Sequence, residues 1–138
     1  MKKILLFIMV SLFFIGCSYS IEISLFENRP FYPGFELDKP FFTKPVGSDV
    51  VLEDLSIVKE VEDKWDYSNP VWSIALQKGS KPNSKKIKYG EVPKGYSEVV
   101  MSGQLEANIK YLAIAFGGGG RGSIEFILNN EGKAIKIK

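Results

Sequence analysis

The chain has 138 residues, 45% of them hydrophobic and 25% charged, with a formal net charge of +2. That length suits one domain with a real core, and the near-balance of charge implies no general attraction to nucleic acid. Histidine is absent and cysteine occurs once. The usual general base and commonest metal ligand is therefore missing, zinc and thiol chemistry are disfavoured, and no disulfide can form within the chain.

At the N-terminus Lys2 and Lys3 precede an apolar run over residues 4–15, which Gly16 and Cys17 close. A basic end, an apolar segment and a small residue at the cut read as a secretion signal over residues 1–16. The run is too short to span a bilayer core of roughly 30 Å, which takes about 20 apolar residues. Residues 14–18, FIGCS, resemble the lipobox of bacterial lipoproteins: Gly16 and Cys17 match, and Phe14 stands where Leu is usual. The resemblance implies cleavage before Cys17 and a covalent diacylglycerol with an N-acyl chain on that residue, and no other cofactor. Several acyl chains anchor stably where one is marginal. Ser18 follows the cysteine, where Asp would suggest inner-membrane retention in enteric-type bacteria. The implied address is the outer membrane, lipid-anchored, on the periplasmic face. An ordinary signal peptide with a chance cysteine is the alternative. Loss of Lys2 and Lys3 leaves basic residues equal in number to the 16 acidic ones.

Residues 17–48 read as a lipidated tether followed by a Pro- and Phe-rich segment. Pro30, Pro33, Pro40 and Pro45 interrupt it, which argues against a central strand. Six aromatics from Phe26 to Phe42 argue against plain disorder, so the segment is expected to wrap the domain and dock its rings. A short strand over residues 20–26 fits as well.

The domain proper is expected over residues 49–138. Residues 55–61 suit a strand by their β-branched content, although Val51, Leu55 and Val58 also carry helical spacing. Trp72, Ile74 and Leu76 alternate with Ser73, Ala75 and Gln77 in the period-2 pattern of a half-buried strand. Short strands follow at residues 87–89 and 96–101, separated by turns at Gly90, Pro93 and Gly95. Residues 109–116 are apolar on both faces and predict a central strand. Residues 117–122 form the turn into a strand carrying Ile124, Phe126 and Leu128. A compact turn at residues 129–132 leads to a last, lysine-edged strand over residues 134–137. The fold class is therefore all-β, an antiparallel sandwich of about seven strands after an irregular N-terminal segment.

Leu105 and Tyr111, six apart, resemble the leucine–tyrosine pairing of fibronectin type III domains, with Ala107-Asn108 where Pro-Gly is usual. Trp72 resembles the core tryptophan of that fold. The resemblance implies a Greek-key, immunoglobulin-like sandwich in which the Tyr111 hydroxyl bonds upstream backbone. A tyrosine simply buried in a sheet is the alternative. A Trp strand, the YGEVPKG turn at Tyr89, Gly90, Pro93 and Gly95, and a Gly-rich hairpin together resemble small Gram-negative lipoproteins. Some of those are thought to be periplasmic immunity proteins against type VI secretion effectors.

Three stretches invite chemistry. Residues 116–123, FGGGGRGS, lack the Lys-Ser/Thr pair and the following helix of a phosphate loop and read as a hairpin carrying Arg121. Residues 60–70 gather Glu60, Glu62, Asp63 and Asp66 around Trp65 and Tyr67 without the order of a calcium loop. A tryptophan rimmed by charge suits an interface anchor or a sugar-stacking platform. Residues 78–90 gather Lys78, Lys81, Lys85, Lys86 and Lys88, a solubilising loop or a steering patch. No spacing selects a carboxylate pair, so the expectation is not an enzyme. It is a membrane-anchored binding protein whose partner is a toxin or envelope component and not nucleic acid. Trp65, Tyr67, Arg121, Lys85 and Lys86 are its candidate contacts. An immunity protein acting by steric occlusion is one version; a structural or glycan-binding envelope module is the alternative.

Overall fold

The computed structural model describes residues 20–39, 50–82 and 85–138, and all regular structure in them is β. The signal segment, Cys17 and the Phe41-Phe42 pair lie outside the described residues. Two antiparallel sheets form a sandwich. The smaller holds β1 (Glu22–Arg29), β2 (Tyr32–Asp38) and β6 (Lys86–Lys88) in the order β1-β2-β6. The larger holds β3 (Asp54–Val61), β5 (Trp72–Leu76), β7 (Tyr96–Val100), β8 (Lys110–Gly117), β9 (Gly120–Leu128) and β10 (Ala134–Lys136). Its order is β10-β9-β8-β3-β5-β7, with the two-residue β4 (Lys64–Trp65) added against β3.

The strands expected from residue 55 onward all form. β3 settles the helix-or-strand ambiguity, because its alternation puts Leu55 and Ile57 on the inner face, both fully buried. β8 lies inside the sheet between β3 and β9, as its two apolar faces require. Tyr111, Ala113 and Ala115 point into the sandwich, where Tyr111 stacks on Phe126 with ring centroids 5.6 Å apart. β10 is the lysine-bearing edge strand. The glycine turn is tighter than its sequence suggests: only Gly118 and Gly119 form it, both at positive φ, and Gly117 pairs with Gly120. Positive φ at both central residues marks a two-residue hairpin of the primed type.

The N-terminal segment departs from expectation. It is no irregular wrap around residues 49–138 but most of the second layer, and β2 is that layer's middle strand. Ten strands form among the described residues, in place of about seven. Pro33 is accommodated by a bulge: between the pairs Phe26–Gly34 and Arg29–Tyr32, two residues of β1 face Pro33 alone. A proline at a bulge removes no ladder bond from its neighbour, and the Pro33 carbonyl still accepts the Tyr89 N–H at 2.9 Å. The Asn28 side-chain amide donates to the Tyr32 carbonyl at 2.8 Å and holds the bulged strand.

Across the sandwich Phe35 meets Phe126 at 5.6 Å and Tyr89 meets Trp72 at 5.2 Å, both edge to face. These rings sit in one buried cluster with Ile21, Ile23, Leu37, Ile74 and Ile87. The Trp72 indole N–H donates to Glu98 at 2.9 Å. Three buried tyrosines bolt connections to the core. Tyr89 donates to the Gly103 carbonyl at 2.5 Å, Tyr96 donates to the Leu52 carbonyl at 2.7 Å, and Tyr111 accepts the Glu106 N–H at 2.9 Å. After β7 the chain crosses back over two strands, so β8 lies beside β3.

The layers approach closely where β1 begins. The Ile21 N–H donates to the Arg121 carbonyl at 2.9 Å, and a Cβ at Gly122 would overlap the Ile21 carbonyl oxygen. Backbone cannot yield as a side-chain tip can. Gly122→Ala is therefore expected to lower stability by about 2 kcal/mol, read as a lower urea midpoint, while Gly103→Ala, with nothing near its Cβ, changes it by less than about 0.5 kcal/mol. Tyr111→Phe removes the Glu106 bond and is expected to cost about 1 kcal/mol in the same titration.

Candidate functional site

The outer face of the larger sheet carries an apolar floor. Val58 of β3 and Leu112 and Ile114 of β8 form a buried cluster separate from the main core. They alternate with inward residues on the same strands, so this face would stand open without a cover. The β3–β4 hairpin supplies part of one. Glu62 and Asp63 make its turn, both at positive φ, and Val61 pairs with Lys64. That tight reversal sets Trp65 opposite Glu60, on the outer face and against Val58, Leu112 and Ile114.

Beyond Trp65 the chain is held by its own hydrogen bonds. The Asp66 N–H donates to the Lys59 carbonyl at 3.0 Å, and the Asn69 side chain donates to the Asp66 carboxylate at 3.2 Å. The Val71 N–H then donates to the Ile57 carbonyl at 2.8 Å and returns the chain to the sheet. Tyr67, raised by this loop, is 62% exposed. Across the face, β9 directs Arg121, Ser123 and Glu125 outward, and β8 adds Phe116, 39% exposed. The Arg121 guanidinium stands 5.8 Å from the Phe116 ring. Together these residues line an open groove of about 470 Å³.

The structure thus brings Arg121 onto one groove with Trp65 and Tyr67, which precede it by more than fifty positions. Trp65 differs from expectation in its burial: it is half-covered by the floor it packs on and is not a free loop residue. Lys85 and Lys86 do not join them. Lys86 opens β6 of the smaller sheet, paired in register with Glu36 and 5.6 Å from the Phe26 ring, and Lys85, just before it, lies 3.9 Å from Asp38. The floor residues Val58, Leu112 and Ile114 were not singled out as a site by sequence. Their signal was present: β8 is apolar on both faces, while among the described residues a second layer covers one face of the larger sheet.

Two further clefts exist. One of about 390 Å³ lies between the tip of the β1–β2 hairpin and the β9–β10 turn, crossed by the Lys133–Glu27 ion pair at 3.1 Å. The other, about 600 Å³, lies beside the Gly118-Gly119 turn and includes Ser20, Glu53 and Arg121. Among the described residues no three His, Cys, Asp or Glu side chains gather to hold a metal ion, and no helix is long and apolar enough to cross a membrane.

One carboxyl beside the groove is perturbed. Asp54, first residue of β3 and cross-strand neighbour of Phe116, is held above the usual range of 3.8 by partial burial and by the adjacent Glu53. Its charged form is the disfavoured one in the folded state. The stability Asp54 contributes is full below 3.8 and is lost as pH rises through its folded value. Asp54→Asn is accordingly expected to melt higher than the parent at pH 7, with the gap closing as pH falls from the folded value toward 3.8, followed by thermal unfolding across pH.

No protein-family model, no curated protein and no solved structure matches this chain.

Proposed function

We propose that this chain is a lipid-anchored binding protein of the bacterial envelope that holds a protein partner on the outer face of its larger sheet. The observation that carries the reading is the convergence of Trp65, Tyr67 and Arg121 on one groove with the floor Val58, Leu112 and Ile114. Aromatic and arginine side chains over a desolvated floor are the composition of an interface anchor. An immunity protein is the most concrete version: the groove and its charged rim cover a toxin's site and block access to it. Anchoring rests on the lipobox resemblance at Gly16 and Cys17. The Greek-key, immunoglobulin-like form of the sandwich draws support from the order β8-β3-β5-β7 and from the Tyr111–Glu106 bond. Lys85 and Lys86, on the other layer, act only by long-range steering.

A pull-down from envelope extract with the tagged mature protein tests the reading. One stoichiometric protein supports it; retention on insoluble glycan instead assigns the groove to sugar stacking. Against the captured partner, Trp65→Ala is expected to weaken binding by about 30-fold, roughly 2 kcal/mol, and unchanged affinity removes Trp65 from the interface. Lys85→Ala with Lys86→Ala is expected to slow association at low salt and leave dissociation unchanged. For the address, the intact mass of the purified protein should correspond to a chain starting at an acylated Cys17. An unmodified chain starting at Met1 would sink the anchored reading.

A further inference from the structure

We infer that the sandwich end where β1 begins is a docking surface for an anionic lipid bilayer, so that the anchored protein stands upright with its acidic end outward. The inference rests on the acylation of Cys17. Its first support is where the chain enters the fold. Ser20 bridges to Arg121 and the Ile21 N–H donates to the Arg121 carbonyl, so the chain is pinned beside the Gly118-Gly119 turn. Cys17 precedes Ser20 by three residues, and covalent geometry keeps their Cα atoms within about 11 Å whatever path the chain takes. An acyl group on Cys17 therefore brings this end of the sandwich, and no other, to the headgroups.

The second support is charge. The strand registers place the end of β5, the start of β7, the end of β2 and the start of β6 at this same end. Lys78, Lys81, Lys94 and Arg121 are exposed there, and Lys85 lies 3.9 Å from Asp38, against the exposed acids Glu22 and Glu53, with Lys39 and Asp54 half-buried among them. The opposite end carries more acid than base. Glu62, Asp63, Glu106 and Glu131 are exposed there beside Arg29 and Lys64, while Lys110 and Lys133 lie against Glu60 at 3.6 Å and Glu27 at 3.1 Å. A nearly neutral protein is thus polarised along its strands, with the basic pole on the side of the anchor. Lysines near an anionic headgroup layer are attracted within a screening length, and a short tether keeps these within it. The groove consequently runs away from the membrane, from Arg121 and Phe116 near the surface toward Trp65.

The test uses the full lipidated protein reconstituted in vesicles of phosphatidylcholine with or without phosphatidylglycerol. A dye is placed at Gln77→Cys, at the basic end, or at Gln104→Cys, at the acidic end, and energy transfer to a headgroup-labelled lipid is read. With phosphatidylglycerol, transfer at position 77 is expected to exceed that at position 104 by about twofold or more, and the difference should shrink in pure phosphatidylcholine or in about 1 M salt. Lys78→Glu with Lys81→Glu and Lys94→Glu should abolish it, and the salt comparison needs no variant to fold. Equal transfer at the two positions, or a difference indifferent to both lipid charge and salt, overturns the docking surface while leaving the anchor intact. The intact mass of the same sample reports the anchor separately, and an unmodified Cys17 overturns both.

Discussion

The structure depends on how the inner face of a large sheet is covered, which among the described residues falls to three strands. Leu55, Ile57, Trp72, Ile74, Tyr111, Ala113 and Phe126 all point inward from that sheet. The cover over them is the β1–β2 hairpin with the short β6. So narrow a cover closes the core only by lying tightly on the sheet, and the contact is made at backbone level. Gly122 admits the Ile21 carbonyl and Gly132 admits the tip of the hairpin at Phe31, while Gly117 admits the Val51 carbonyl on the approach to β3. The glycine-rich stretch is thus partly an instrument of packing rather than of flexibility. Only Gly118 and Gly119 serve the turn.

The core has a second property that the loops exploit. Its large rings are amphipathic, and a hydroxyl taken out of water must find a partner. Tyr89, Tyr96 and Tyr111 each find one in the backbone of a connection: Gly103, Leu52 and Glu106. Burial holds all three phenols above their ordinary range, so they stay neutral donors and acceptors at any physiological pH. The long return from β7 to β8 is fixed at two points in this way. A groove built on β3, β8 and β9 consequently rests on a rigid scaffold.

That groove follows from a mismatch between layers. β8 is apolar on both faces, yet among the described residues the second layer covers one of them. The β3–β4 hairpin answers part of the mismatch by laying Trp65 over Val58, Leu112 and Ile114, and Tyr67 and Phe116 are left exposed around it. An apolar face half-covered by a hairpin and rimmed by Arg121, Glu125 and Asp66 is suited to a partner that completes the cover. The charge distribution adds direction to it. Acidic and basic stretches that cancel in the total charge lie at opposite ends of the strands.

Strand identity from β3 to β10 was legible in the sequence because alternation encodes which side chains face the core, and turn residues punctuate each strand. Trp72 and Phe126 could be placed inside on that basis alone. The second layer was not legible, because proline and irregular spacing in residues 22–38 argue locally against a central strand. The bulge that accommodates Pro33 exists only once β1 and β6 flank β2. The separation of Trp65, Tyr67 and Arg121 from Lys85 and Lys86 was hidden for a related reason. Sequence supplies candidate anchors one loop at a time, and which loops share a face is set by strand order across both sheets, a long-range property that no local pattern contains.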